Sequence, residues 1–183
     1  MIHEINNPRI LDKSVYKQIG RPVSEISNSL ITNIGSCLYN LRDLKLTDKG
    51  NNIHIEQNAR CNFELFEKGL LLRINDKQKF FVLPLSKDDK LSLTIIEGEE
   101  KISSFNLTGL LHALGVKRSF LRRFWLLSRG IYNERLELLI ETNSEKILLD
   151  SNGKNFKGAL RYFEKCELRD KLTTHNNKYK SAG

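Results

Sequence analysis

Between Cys61 and Ile96 the chain alternates short apolar runs with turn signals, and this rhythm limits the fold more than any other feature. Cys61, Phe63 and Leu65 alternate with Asn62 and Glu64, the period of a half-buried strand. Glu67-Lys68-Gly69 turns the chain, and Leu70–Ile74 runs back. Asn75-Asp76-Lys77 turns it again, with residues that accept left-handed or side-chain-bonded turns. Lys79–Leu85 is the next strand; Pro84 near its end marks an edge or a strand terminus. After Ser86-Lys87-Asp88-Asp89, Leu91, Leu93 and Ile95 alternate with Ser92 and Thr94. Strands this close in sequence usually pair as antiparallel neighbours. Ile53-His54-Ile55 reads as a short first strand. Leu136–Glu141 and Lys146–Leu149, around Thr142-Asn143-Ser144-Glu145, read as a later hairpin.

Helical spacing frames this β region, residues 53–150. Ser24 is a candidate N-cap, and Ile26, Leu30, Ile34, Cys37, Leu38 and Leu41 follow at helical intervals, which predicts an N-terminal helix over 24–42. Asp150-Ser151-Asn152-Gly153 supplies capping residues for a C-terminal helix over 154–169, whose apolar face is Phe156, Ala159, Leu160, Phe163 and Cys166. Residues 1–23 show no apolar pattern and read as an irregular lead-in. Residues 24–172 read as one globular domain, and 173–183, polar and basic, as a frayed tail.

Composition excludes several classes. At 183 residues, 39% hydrophobic and 28% charged, the chain is long enough for one unstapled core. Its longest apolar runs fall well short of the ~20 residues that span a bilayer. The first residues lack the basic start and apolar stretch of a signal peptide, so the expected location is cytoplasmic. Cys37, Cys61 and Cys166 are odd in number and far apart, the pattern of reduced thiols rather than disulfides or a zinc site. His3, His54, His112 and His175 sit at no metal-ligand spacing, and no GxSxG, GxxxxGK[ST] or GxGxxG occurs. His54 and His112 read as structural. The carboxylates at Asp88-Asp89, Glu97, Glu99 and Glu100 have the setting of solvated turns. No catalytic residue, metal or cofactor is assigned.

The charge is unevenly placed. Lys101, Lys117, Arg118, Arg122, Arg123 and Arg129 supply six of the net +8, and residues 101–133 contain no Asp or Glu. Such a patch attracts acidic partners. Within it, Leu107, Leu110, Leu111 and Leu114 sit at helical spacing with Gly115 to close the helix. From Lys117 a helical projection gathers Phe120, Leu121, Phe124, Trp125 and Leu127 on one arc and Arg118, Arg122 and Arg129 on the other side. A strand over Phe124–Ser128 fits the same short run. If the aromatics are core, the arginines form a solvated rim. If they are exposed, the composition suits an acidic protein face, a membrane surface or single-stranded nucleic acid. Lys117, Arg118, Phe120, Arg122, Arg123, Trp125 and Arg129 are therefore the candidate partner-binding residues.

The order of elements resembles the pleckstrin-homology-like fold over about Ile53 to Leu168: a run of roughly seven antiparallel strands, then one amphipathic helix. The resemblance implies an α+β, mainly antiparallel bent sheet or barrel. Phe156, Leu160 and Phe163 would plug it, the N-terminal helix would be an addition, and residues 106–131 would be a helical, basic insertion. The family's frequent tryptophan in the last helix is absent. The first hairpin, Phe63–Leu70, is too acidic for the phosphoinositide motif of some members. The resemblance implies a non-catalytic module that binds a protein or other acidic partner, or that self-associates; peripheral membrane contact is open. The alternative is a nucleic-acid binder that uses 117–129.

Overall fold

The computed structural model describes residues 2–7, 10–23, 36–46 and 55–176. Among them the architecture is α+β with mostly antiparallel strands. In chain order the elements are β1 (His3–Ile5), α1 (Lys13–Ile19), β2 (Tyr39–Leu46), β3 (Arg60–Phe66), β4 (Gly69–Asp76), β5 (Lys79–Ser86), β6 (Ser92–Glu97) and β7 (Glu100–Ile102). Then follow α2 (Leu107–Ala113), α3 (Arg118–Leu121), α4 (Trp125–Ser128), β8 (Ile131–Asn133), β9 (Arg135–Glu141), β10 (Glu145–Asn152), α5 (Phe156–Lys165) and β11 (Leu172–Asn176).

Nine strands form one sheet in the order β1-β5-β4-β3-β2-β10-β9-β6-β11, and β7 and β8 form a separate two-stranded sheet. The alternation of β3 and the continuous apolar runs of β4 and β5 form a meander with two-residue turns at Glu67-Lys68 and Lys77-Gln78, the second with Lys77 at φ 56°. The fourth strand of the series leaves that meander: β6 pairs with β9 instead, because β1 already occupies the outer edge of β5. β1 covers only Phe80–Val82, so Pro84 lies beyond its reach and its missing N–H costs no ladder bond.

Chain length forces this sheet to curl. β5 and β6 stand six places apart in the sheet, about 29 Å if it were flat, at ~4.8 Å per strand. Only residues 87–91 join them, and so short a link reaches about 21 Å. The sheet therefore bends, and one cluster joins Phe81, Leu83 and Leu85 of β5 to Leu93 and Ile95 of β6 and to Leu136, Leu138, Ile147 and Leu149. α5 lies across this concave face. Ala159, Tyr162 and Phe163 share one buried side, and the Phe163 ring meets Phe63 edge-on at 5.4 Å. The sheet stays open: its edge strands are β1 and β11. On the opposite face of β3–β5, Leu11, Val15 and Ile19 pack on Phe66, Leu71 and Val82 as a second core.

Five expectations need correction. The helix over 24–42 fails at its end: 24–35 lie outside the described residues, 36–38 are irregular, and 39–46 are β2. Pairing with β10 makes this stretch a strand, and the strand carries a bulge. β10 pairs Leu148 with Asp43 and Leu149 with Leu41, which leaves Arg42 as an extra residue, so Leu41 and Leu44 reach the same core although three apart. Of the expected helical series only Leu41 lies in β2, where it is buried with Tyr39 two residues before it, the spacing of one strand face. The lead-in 1–23 is not irregular, since it holds β1 and α1. Val15 and Ile19, four apart with Leu11 one turn earlier, carry the missed pattern. The tail is ordered through Asn176 as β11, parallel to β6; 177–183 lie outside the described residues. Among the described residues eight strands, β3–β10, fall within the span where about seven were expected, and β1, β2 and β11 lie outside it. Of the expected strand 53–55, Ile53 and His54 lie outside the described residues, and Ile55 is not in a strand.

Candidate functional site

Residues 103–130 leave the small two-stranded sheet at β7, form α2, α3 and α4, and return to it at β8. Their base is the β7–β8 pairing, in which Ile102 faces Ile131, extended by the Ser103 N–H donating to the Gly130 carbonyl at 2.8 Å. The Asn106 side chain accepts from the Gly109 N–H at 3.1 Å and caps α2. Buried Thr108 donates from Oγ1 to the Leu127 carbonyl at 2.8 Å, tying α2 to α4. Two glycines allow this closeness. A Cβ on Gly109 would strike the Ser103 backbone, and one on Gly130 would strike the Thr108 side chain. Gly115, φ +88°, turns the chain just past the end of α2, and the His112 Nδ1 lies 3.3 Å from the Val116 carbonyl oxygen, a structural contact.

The single helical arc over 117–129 does not form. Phe124 is extended (φ −100°, ψ 120°), so the segment breaks into α3 and α4. The strand over 124–128 does not form either, and the aromatics are not core. Phe120 and Phe124 are each 49% exposed and pack on each other at 5.0 Å between ring centroids, while Trp125 is 69% exposed. Leu121 is the buried anchor of the segment.

The structure also exposes apolar side chains whose role the sequence reading missed. Phe105 is 99% exposed in the turn before α2. Leu107, Leu110 and Leu114 share one face of α2 and are each more than half exposed, as is Leu126. Helical spacing flagged three of these leucines, but spacing alone does not say whether a face meets a core or solvent.

The candidate cations fall into two groups. Arg122 makes a two-oxygen ion pair with Glu100, and Lys101 pairs with Glu134 at 2.6 Å. The hydrogen bond to each carboxylate is the leading cause that raises each pKa and holds the cation charged. Arg129 lies over the Trp125 ring at 4.0 Å. Lys117, Arg118 and Arg123 are exposed and make no ion pair among the described residues. The structure thus gathers Lys117, Arg118, Phe120, Arg123, Trp125 and Arg129 on one exposed body and assigns Arg122 mainly to its base.

Elsewhere, three thiols and one buried carboxylate have shifted acidities. Burial pushes the Cys61 thiol up to about 12 and Cys166 up to about 11, and Cys37 is raised by the same cause, so all three stay protonated. Buried Glu145 goes the other way. Burial is the largest cause and raises its pKa, but hydrogen bonds led by that of Thr142 leave it below the usual value. No three His, Cys, Asp or Glu side chains stand together as metal ligands among the described residues. Among those residues no helix is long and apolar enough to cross a membrane. No family model, curated protein or solved structure matches the chain.

Proposed function

We propose that this chain is a non-catalytic interaction module whose helical insertion, residues 103–130, docks an acidic partner. One observation carries the reading: the insertion turns aromatic and leucine side chains to solvent beside cations with no internal carboxylate. At ~150–250 Å² per aromatic side chain, Phe105, Phe120, Phe124 and Trp125 alone expose about 500 Å². Summed over the four, that is on the scale of the largest apolar patch of a typical monomer, ~300–600 Å², before the leucines are added. The protonated thiols and the ionised Glu145 support a binding role over a nucleophilic or acid-catalysed one. A curled antiparallel sheet with one helix on its concave face supports a pleckstrin-homology-like scaffold, here open and with added strands.

Excision tests the reading. The ends of β7 and β8 are paired, so an Asn-Gly turn that joins Ser103 to Gly130 replaces the insertion without disturbing the main sheet. The intact protein is expected to bind heparin at ~50 mM salt, where phosphate-like contacts are strong, and the excised variant to flow through. The excision removes five cations: Lys117, Arg118, Arg122, Arg123 and Arg129. A control, K13Q/K17Q/K90Q/K157Q/K165Q, removes five exposed lysines elsewhere and should still bind. Equal retention of the excised variant, or loss by the control, would refute this assignment. Single-stranded nucleic acid is a second reading, favoured by Arg118 and Arg123 beside the paired Phe120 and Phe124 rings. It requires the same insertion to retain a labelled oligonucleotide.

A further inference from the structure

We infer that the acidic partner of the insertion is an anionic lipid surface, into which Phe105, Leu110, Leu114, Trp125 and Leu126 insert while Lys117, Arg118 and Arg123 meet headgroups. The inference rests on the reading of 103–130 as the docking element and goes beyond it by naming the occupant.

Three physical arguments select lipid. The first is charge. A two-fold contact between copies sets the same patch against itself, and this patch carries Lys117, Arg118 and Arg123 with no Asp or Glu between residues 101 and 133. Like charges would then face each other, which disfavours a second copy through this surface. An anionic leaflet complements it.

The second is the kind of apolar group exposed. Nucleic-acid interfaces are polar and draw their apolar contribution from rings that stack on bases. Leu107, Leu110, Leu114 and Leu126 have no ring to stack, yet each is more than half exposed. An acyl-chain boundary rewards aliphatic and aromatic side chains alike. Trp125, capped by Arg129 at 4.0 Å, has the amphipathic character of an interfacial anchor.

The third is shape. The exposed side chains come from a turn and three helices of four to seven residues that stand on the small β7–β8 sheet, apart from the nine-stranded one. A protein partner must match such a surface closely. A fluid interface takes it in without a complementary mould. The contact is peripheral: no helix among the described residues can cross a bilayer.

The test uses the whole chain, sucrose-loaded vesicles and its only tryptophan, Trp125. Vesicles of phosphatidylcholine with ~30% phosphatidylserine are expected to sediment the protein at ~0.1 M salt, and phosphatidylcholine alone to sediment far less. Trp125 emission should shift to the blue on binding, and acyl-brominated lipid should quench it. K117Q/R118Q/R123Q is expected to lower partitioning about a hundredfold, on the order of fivefold per cation. F105S/L110S/L114S changes only exposed positions. It should keep the native circular dichroism and lose both sedimentation and the shift. No sedimentation with anionic vesicles at ~50 mM salt overturns the inference. So does sedimentation with an unmoved Trp125 and no effect of F105S/L110S/L114S. If the insertion binds heparin or an oligonucleotide but not vesicles, the lipid assignment falls while the docking reading stands. If excision of 104–129 changes none of these, both fall.

Discussion

A thiol illustrates how little a residue's identity says until its surroundings are known. Cys61 lies in β3 with no solvent exposure, and burial moves its pKa from 9.0 to about 12. In the unfolded chain it titrates at the ordinary value. Below pH 9 both states hold the proton, and Cys61 adds no pH dependence. As pH rises through 9 the unfolded state releases its proton while the folded state keeps it. Stability then falls by ~1.4 kcal/mol per pH unit until the folded thiol also titrates. Cys166, raised to about 11, and buried Tyr39 and Tyr162, raised by the same cause, act in the same direction. Urea titrations at pH 8 and pH 10 should show this loss, and Cys61→Ala should recover about 1.4 kcal/mol of the pH 8-to-10 difference. An unchanged difference in that variant would mean that the thiol is not desolvated. At the same scale, Leu121 and Trp125 sit four residues apart, and one is buried while the other faces water.

At the scale of elements, periodicity is informative only where the element is regular. α5 is regular: Ala159, Tyr162, Phe163 and Cys166 recur on one side, and that side is buried. The chain leaves it through Glu167 at φ 58°, with the Leu168 N–H returning to the Phe163 carbonyl at 3.2 Å. Phe163 also meets Phe63 across the concave face, so Phe163→Ala is expected to cost ~3–5 kcal/mol in denaturant unfolding. A cost below about 1 kcal/mol would show that α5 does not hold the core in this way. β2 is irregular, with a bulge at Arg42, and pairing with β10 makes a strand where Leu41 ended an apolar series at helical spacing. The 117–129 segment fails for another reason. Its apolar arc is real in projection, but the extended Phe124 breaks the helix on which the projection depends.

For the whole molecule, the short β5–β6 link bends the sheet, and the bend gives α5 its concave seat. β3, β4 and β5 lie between two cores and should open only with global unfolding. The insertion stands on the small β7–β8 sheet, and two-stranded sheets are marginal by themselves. Hydrogen exchange should therefore find amides of α2–α4 exchanging at least about a hundredfold faster than those of β4 and β9. Equal protection would mean that the insertion and the sheet form one cooperative unit.

The sequence by itself determined the β3–β4–β5 meander, the β9–β10 hairpin and the C-terminal helix α5, because their apolar spacing and turn residues are local. It also located the cationic, acid-free stretch. Tertiary structure alone decided that β6 leaves its neighbours for β9, that residues 39–46 are a strand, and that α1 covers a second core. Each depends on which edge or face remains unoccupied once the other strands have paired. It decided the site as well. Leu107, Leu110, Leu114, Phe120 and Trp125 have the composition of a core, and they face solvent because their helices rise from the small sheet rather than lying on the large one.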